Sequence, residues 1–381
     1  MIEDFCRKTI DSLKESGNIR TIPQEPGNGL IDLSTNDYMG VASNRQLLER
    51  FFYSTDLDDL KMSSAASRLL SAKQSDYIAL EKMLEDLYHR PALLFNSGYH
   101  ANTGIIPAIA DRHTVVLADR LVHASIIDGI KLSQAKLIRF RHNDFEQLER
   151  TISDYYGQTS RILVITESVF SMDGDIADLH RLTEIKRQYP DIITYIDEAH
   201  AFGVRGKHGL GVIEETGTID KFDIVIGTFG KAVASIGAFA IASAVMKDFL
   251  INKARSLIFS TALPPISCRW SKFVIEFLLG MDKEREYLLN VSEYINCKFE
   301  KYNHNIRSHS QIVPLIIGDS SKAVMLSSSL RQSGFIALPI RHPTVPAGTE
   351  RIRFSLNANI RKCDIDKLIE LINIYETSIS Q

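Results

Sequence analysis

GTFGKAVASIGA places Lys231 just past the apolar run DIVIGT, and TYIDEAHAFG ends another apolar run in Asp197, with His200 three residues on. A lysine at the end of a buried strand can be desolvated, lose part of its preference for the charged form and act as a nucleophile toward an aldehyde. A carboxylate at another strand end can hold a ring nitrogen protonated, and an imidazole three residues later can reach a ring hydroxyl. FNSGYHANTG sets Ser97, Gly98 and Tyr99 between a strand and a helix, where free backbone N–H groups and the positive helix end favour a phosphate. Thr228 adds a hydroxyl three residues before the lysine, and His123 in ADRLVHASIIDG is an imidazole suited to stack on a flat ring. These are the groups that an enzyme using pyridoxal phosphate (PLP) needs.

Other chemistries fit less well. D-E-A-H is also the magnesium-binding tetrapeptide of a nucleotide-driven motor, which requires an upstream G-x-x-x-x-G-K-[ST] loop. The G-K pairs here are Gly206-Lys207 and Gly230-Lys231, followed by His208 and Ala232 where Ser or Thr is required, and both lie downstream of the tetrapeptide. A catalytic zinc usually takes three protein ligands, whereas Asp197 and His200 supply two and the chain has no H-E-x-x-H. Each residue also has an ordinary structural use: Asp197 and His200 capping a turn, Lys231 as a solvated charge, His123 as a hydrogen-bonded core histidine, Ser97-Gly98 as a turn, Thr228 as a strand residue. Those uses would have to coincide at one edge of one sheet.

The elements that position these residues are legible as short apolar, β-branched runs: ALLFNSG, TVVLADR, LIRFRH, RILVITES, DIITYIDEAH, DIVIGTFGK and GAFAIAS. Such runs read as buried strands. Helical patterns separate many of them, among them FEQLERTISDYYG after Asn143 and Asp144 and DLHRLTEIKRQYP stopping at Pro190. Alternating strands and helices predict an α/β fold with a mostly parallel sheet flanked by helices, which binds ligands outside the carboxyl ends of its strands. The pattern changes past about Pro265, so the expected division is an N-terminal segment 1–45, a large α/β domain 46–270 and a smaller α+β domain 271–381.

With 381 residues, 44% of them hydrophobic, and a formal charge of -3, the chain is expected to bury a sizeable core. It has no overall field that would draw nucleic acid or an anionic membrane, so small molecules are the expected partners. The four cysteines form no C-x-x-C pair and no apolar span is long enough to cross a bilayer, which predicts a metal-free cytoplasmic protein.

From LSTNDYMG at Leu33 through SRLLS, ALLFNSGYHAN, DRLVHASIIDG, FRHND, TESVFSMDGD, IDEAHAFG, GTFGKA and FSTALPP to RHPTVPAGTERIRFSLNA, the sequence resembles the α-oxoamine synthase family of fold-type I PLP enzymes. The resemblance implies that Lys231 carries the cofactor, that Asp197 partners the ring nitrogen, that His200 and Ser171 neighbour the ring hydroxyl and that His123 stacks on the ring. It puts Ser97, Gly98, Tyr99 and Thr228 in the cofactor and phosphate motifs, and Asn36 and Arg341 on the carboxylate of an amino acid. It implies a homodimer in which Thr261 reaches the partner's phosphate, and a second substrate that is an acyl thioester of coenzyme A or an acyl carrier protein. The likeness of FSTALPP, VFSMDGD and FRHND to the versions in some members of the family implies L-alanine and a pimeloyl thioester as substrates, with glycine or serine and another acyl-CoA left open. Val233 and Ala234 stand where the family often has a glycine-rich loop, and Ala72 and Tyr77 where glycine and histidine are common, departures that bear on the acyl pocket.

Overall fold

The computed structural model describes residues 1–22, 29–56, 58–72, 74–302, 304 and 308–379. The chain divides into two compact units, one of Asp37–Ser171 with Ile176–Glu286, the other of Met1–Asn36, Met172–Asp175 and Tyr287–Gln381.

The larger unit is built on seven strands: β1 (Ala92–Phe95), β2 (Thr114–Asp119), β3 (Lys136–Phe140), β4 (Arg161–Glu167), β5 (Ile193–Asp197), β6 (Ile224–Thr228) and β7 (Ala238–Ile241). They form one sheet in the order β1-β7-β6-β5-β4-β2-β3. Pairing is parallel from β3 through β6, and β7 runs antiparallel to both β6 and β1. All seven apolar runs thus become strands. The helices used below are α1 (Ser75–Tyr88), α2 (Gly98–Ile109), α3 (Ala124–Ser133), α4 (Phe145–Tyr155), α5 (Leu179–Gln188), α6 (Val212–Glu215) and α7 (Pro265–Leu278). Short polar side chains start some of them: Asp144 accepts from Gln147 N–H and Asp178 from Arg181 N–H, each satisfying a donor the first turn leaves open.

One face of the sheet packs on α2 and α3. Ile105, Ile106, Ile126 and Ile130 from the helices join Leu163, Ile165, Ile224 and Ile226 from the strands in one buried cluster. Full burial of each such side chain contributes about 1.5–3 kcal/mol. The helices themselves approach closely because Gly129 has no side chain: a Cβ there would lie 2.6 Å from the carbonyl oxygen of Asn102.

The smaller unit holds three antiparallel strands, β8 (Ile312–Ile316), β9 (Leu338–Ile340) and β10 (Arg351–Ser355), in the order β9-β10-β8. Ile31–Asp32 pairs in parallel with Phe335–Ile336. Helices Ser320–Gln332 and Lys362–Ile379 belong to it as well. Met172–Asp175 is held in this unit, with the Gly174 carbonyl accepting from His309 N–H at 3.1 Å and Asp173 paired with Arg351.

Both division points differ from the sequence-based expectation of 45/46 and 270/271. Residues 1–36 are not a separate segment, because strand Ile31–Asp32 is paired inside the smaller unit. The second division falls after Glu286, since α7 packs on the large unit: Arg269 bonds Asp76 of α1 at 2.8 Å, and Trp270 and Phe273 stack edgewise on Phe51. Among the described residues no helix is long and apolar enough to cross a membrane.

Candidate active site

Asp197 is the last residue of β5, with 5% of its surface exposed. Its two oxygens accept from different donors, Oδ1 from the backbone N–H of Ala199 at 3.0 Å and Oδ2 from Asn102 Nδ2 at 3.0 Å. Asn102 lies on α2, and its Nδ2 also donates to Ser125 Oγ at 2.9 Å, while its Oδ1 accepts from Tyr195 at 2.5 Å. Ser125 in turn bonds His123 Nδ1 at 2.7 Å. A continuous polar chain therefore runs from the carboxylate to the imidazole.

Lys231 follows β6, in a loop closed by Ala234 N–H to Lys231 carbonyl and by Phe229 N–H to Gly237 carbonyl, at 2.8 and 2.9 Å. The charges of Lys231 and Asp197 both act on His123 and on Glu167, which ends β4 opposite Asp197 in the register. Desolvation draws the His123 imidazole below its ordinary value, with Asp197 opposing and Lys231 reinforcing the effect. Desolvation also holds Glu167, 3% exposed, well above the usual carboxylate range, and Asp197 adds to it. Glu167 Oε1 takes the His123 backbone N–H at 2.5 Å. Lys231, Asp197 and His123 are thus brought together.

Ser97 caps α2, its hydroxyl accepting from His100 N–H at 3.2 Å. Gly98 opens the helix, and a Cβ there would stand in ordinary van der Waals contact with Thr228, 3.9 Å from its Cβ, which places the helix N-terminus beside the end of β6. Thr228 Oγ1 donates to the Gly237 carbonyl at 3.0 Å and accepts from Gly230 N–H at 3.3 Å. Tyr99 is half exposed and donates to Asp128 at 2.8 Å. Thr261 is exposed, with its carbonyl accepting from Asn96, the neighbour of Ser97, at 2.6 Å. His200 is buried and its Nδ1 meets the Tyr38 hydroxyl at 2.7 Å; Ser171 is buried as well. A helix N-terminus beside small residues and a hydroxyl, a buried carboxylate that acts only as acceptor, an amine and an imidazole together match the donors and acceptors of PLP.

In the smaller unit the two expected carboxylate ligands part company. Arg341 is committed to the carbonyls of Gly17 and Ile19, the second at 3.1 Å. Asn36 Oδ1 instead accepts from Arg353 Nη2 at 3.2 Å. The family resemblance implies Arg341, and Arg353, inside the quoted RIRFSLNA, carries no separate signal in the sequence.

Several residues of the site carry no motif by themselves. Asn102, Ser125, Tyr195 and Tyr38 carry no signal of their own in the sequence, although all four fall inside quoted motifs or runs, while Glu167 is legible as a polar strand end. Glu198 answers the question raised by D-E-A-H differently from a motor. Its carboxylate is fully buried and accepts from Ser168 at 2.6 Å, Val212 N–H at 3.1 Å and Ile213 N–H at 2.9 Å, which anchors the start of α6. Gly211 at φ 110° is what lets the backbone pass, since a Cβ there would lie 2.5 Å from Glu198 Oε2. Desolvation raises Glu198 to about 7 from 4.5.

That shift has a sign. Between about pH 4.5 and 7 the folded chain binds a proton at Glu198 that the unfolded chain has released, so stability contributed by this group falls as pH rises through the window. The difference amounts to roughly 3 kcal/mol between pH 4 and 8. Glu198→Gln removes the titration and is expected to flatten the pH dependence of the calorimetric Tm over that range. An unchanged slope in the variant would assign the effect to other groups, Glu167 first.

The departures also find places. Ala234 takes φ 49°, a left-handed conformation in which glycine is unstrained, and its carbonyl accepts from Trp270 Nε1 at 3.0 Å. Tyr77 is buried, with its ring beneath the Arg68 guanidinium at 4.7 Å and its hydroxyl on the Leu263 carbonyl.

The pattern of the family described as aminotransferase class I and II matches residues 28–372. A Pasteurella multocida protein named "Putative 8-amino-7-oxononanoate synthase" is 43% identical over 376 residues, which span 96% of this chain and 97% of that one. Among solved structures, a serine palmitoyltransferase variant from S. paucimobilis with bound PLP–myriocin aldimine superposes with a TM-score of 0.90 at 27% identity, covering 99% and 98% of the two chains. An 8-amino-7-oxononanoate synthase from Francisella tularensis superposes with a TM-score of 0.79 at 29% identity, covering 93% of this chain and 100% of that one.

Proposed function

The chain belongs to the aminotransferase class I and II family, among its α-oxoamine synthases, and on that premise we propose that it condenses L-alanine with a pimeloyl thioester. Carbon dioxide and the free thiol leave, and 8-amino-7-oxononanoate, an intermediate of biotin biosynthesis, is formed. The enzyme is a PLP-dependent acyltransferase. The observation that carries this reading is the gathering of Lys231, Asp197 and His123 at strand ends beside the N-terminus of α2.

PLP, when bound, supplies an electron sink for the carbanion formed at the amino acid Cα. Lys231 would hold the cofactor, and its amine, when free, would take the Cα proton. Asp197 would keep the proton on the ring nitrogen, His123 would offer its ring to the cofactor face, and His200 and Ser171 would address the ring hydroxyl. The backbone N–H groups of Ser97, Gly98 and Tyr99 and the Thr228 hydroxyl would hold the phosphate, joined by Thr261 from a second copy in a homodimer. The acyl group arrives on coenzyme A or an acyl carrier protein. A cytoplasmic location and the absence of nucleic-acid and membrane partners complete the proposal.

For the substrate carboxylate, the position of Arg353 beside Asn36 favours Arg353 over Arg341. Arg353 is 8% exposed, and loss of a buried charged hydrogen bond costs about 2 kcal/mol or more. Arg353→Ala is therefore expected to lower kcat/KM for the amino acid by about thirtyfold or more, and Arg341→Ala by less than about fivefold. Steady-state kinetics with varied amino acid decide it, and the reverse ranking would restore Arg341.

The substrates are tested by kcat/KM for alanine, glycine and serine, each with pimeloyl, succinyl, acetyl and palmitoyl thioesters. Alanine with pimeloyl is expected to lead. A pocket that distinguishes one methyl group gives about 10- to 200-fold, so glycine with a short acyl group or serine with a long one winning by more than about a hundredfold would overturn the assignment.

A further inference from the structure

Asn102 is 1% exposed, and every polar atom of its amide is committed: Nδ2 to Asp197 and Ser125, Oδ1 to Tyr195. Asp197 decides which way round the amide sits: its carboxylate only accepts, so Nδ2 faces it, and Oδ1 is left for the Tyr195 hydroxyl, which donates to it. On the other arm, Ser125 Oγ accepts from Asn102 and has one hydrogen left, for His123 Nδ1 at 2.7 Å. The backbone N–H of Ser125 points at the same nitrogen at 3.2 Å. Two donors on Nδ1 make it an acceptor, which leaves the imidazole proton on Nε2. This geometry exists because α2 and α3 touch at Gly129, where any Cβ would strike the Asn102 backbone.

The geometry points to Asn102 as a positioning residue for the reaction: one amide orients the Asp197 carboxylate and, through Ser125, sets the tautomer and orientation of the His123 ring. The inference rests on the functional reading above and adds that the group assigned to the ring nitrogen and the group assigned to the ring face are held by a single side chain.

Four variants separate the arms. Ser125→Ala cuts only the arm to His123, and Ser125→Thr restores the hydroxyl. Asn102→Ala cuts both arms, and Asn102→Asp removes the donors while keeping an acceptor for Tyr195, which serves if the alanine variant does not fold. Nitrogen NMR of histidine-labelled, full-length protein before PLP is added reads the tautomer, with His123 identified by the signal missing in His123→Gln. Wild type and Ser125→Thr are expected to show the Nε2–H form, and Ser125→Ala, left with only the longer 3.2 Å backbone donor on Nδ1, and the Asn102 variants, whose Ser125 hydroxyl is no longer oriented, a mixture with about a tenth or more Nδ1–H. In the PLP-loaded enzyme, Asn102→Ala or Asn102→Asp should lower kcat by about tenfold or more while KM for the amino acid stays within about threefold. Folded Ser125→Ala and Asn102 variants that keep the wild-type tautomer would overturn the inference. Should PLP fail to attach to the wild-type chain at all, the functional reading fails instead, and the tautomer result stands apart from it.

Discussion

Lys231→Ala is expected to lose covalent attachment of PLP and on the order of 10⁴ or more in kcat, with the fold intact. The size of the loss follows from the two uses of one amine, attachment of the cofactor and transfer of the Cα proton, which no neighbouring group can take over. His123 is already committed through Nδ1 to Ser125, and Glu167 accepts a backbone N–H, with burial holding it above the usual carboxylate range. The fold survives because Lys231 is only partly buried, in a loop whose closure rests on backbone hydrogen bonds and on Phe229 and Val233, not on the lysine side chain. Borohydride reduction followed by peptide mass spectrometry should place PLP on Lys231 in the wild type and nowhere in the variant. Label on a different lysine would end the assignment.

Asp197→Asn comes second, with an expected loss of about 10² to 10⁴ in kcat, typical for removal of one preorganised electrostatic partner. The substitution keeps shape but changes the hydrogen-bond pattern. Both oxygens of Asp197 now accept, from Ala199 N–H and from Asn102, and an amide must turn an NH₂ toward one of those donors. Asparagine cannot keep the ring nitrogen protonated as a carboxylate does, and one backbone or side-chain donor is left unpaired, costing about 1–3 kcal/mol of stability. PLP should still attach to Lys231. Turnover near the wild-type value, with PLP bound, would remove Asp197 from its role.

What could be read from the sequence is whatever depends on a residue and its near neighbours in the chain. All seven apolar runs became strands, and six of them are buried as continuous apolar stretches suit, while Lys136–Phe140 at the sheet edge stays largely uncovered. Lys231, Asp197 and Ser97 could be set at strand ends and a helix start for the same reason. Ala234 could be noticed as unusual, though not that it holds φ 49°.

Tertiary structure decided which polar atoms meet. Arg341 and Arg353 are chemically alike and twelve residues apart, and only the folded smaller unit gives one to the carbonyls of Gly17 and Ile19 and the other to Asn36. The division of the chain moved for a related cause: α7 is an ordinary amphipathic helix in sequence, and its contacts with Asp76 and Phe51, more than 190 residues earlier, assign it to the larger unit. Glu198 reads as part of a motif, yet its anchoring of α6 depends on Gly211 bringing two backbone N–H groups to it. Asn102, Ser125 and Tyr195 belong to three different elements and share no spacing. Hydrophobic periodicity reports which face of an element is buried, because burial is proportional to area and needs no particular partner. A hydrogen bond needs a donor and an acceptor within about 3 Å at a set angle, and that coincidence is created only when α2, α3 and β5 are packed together.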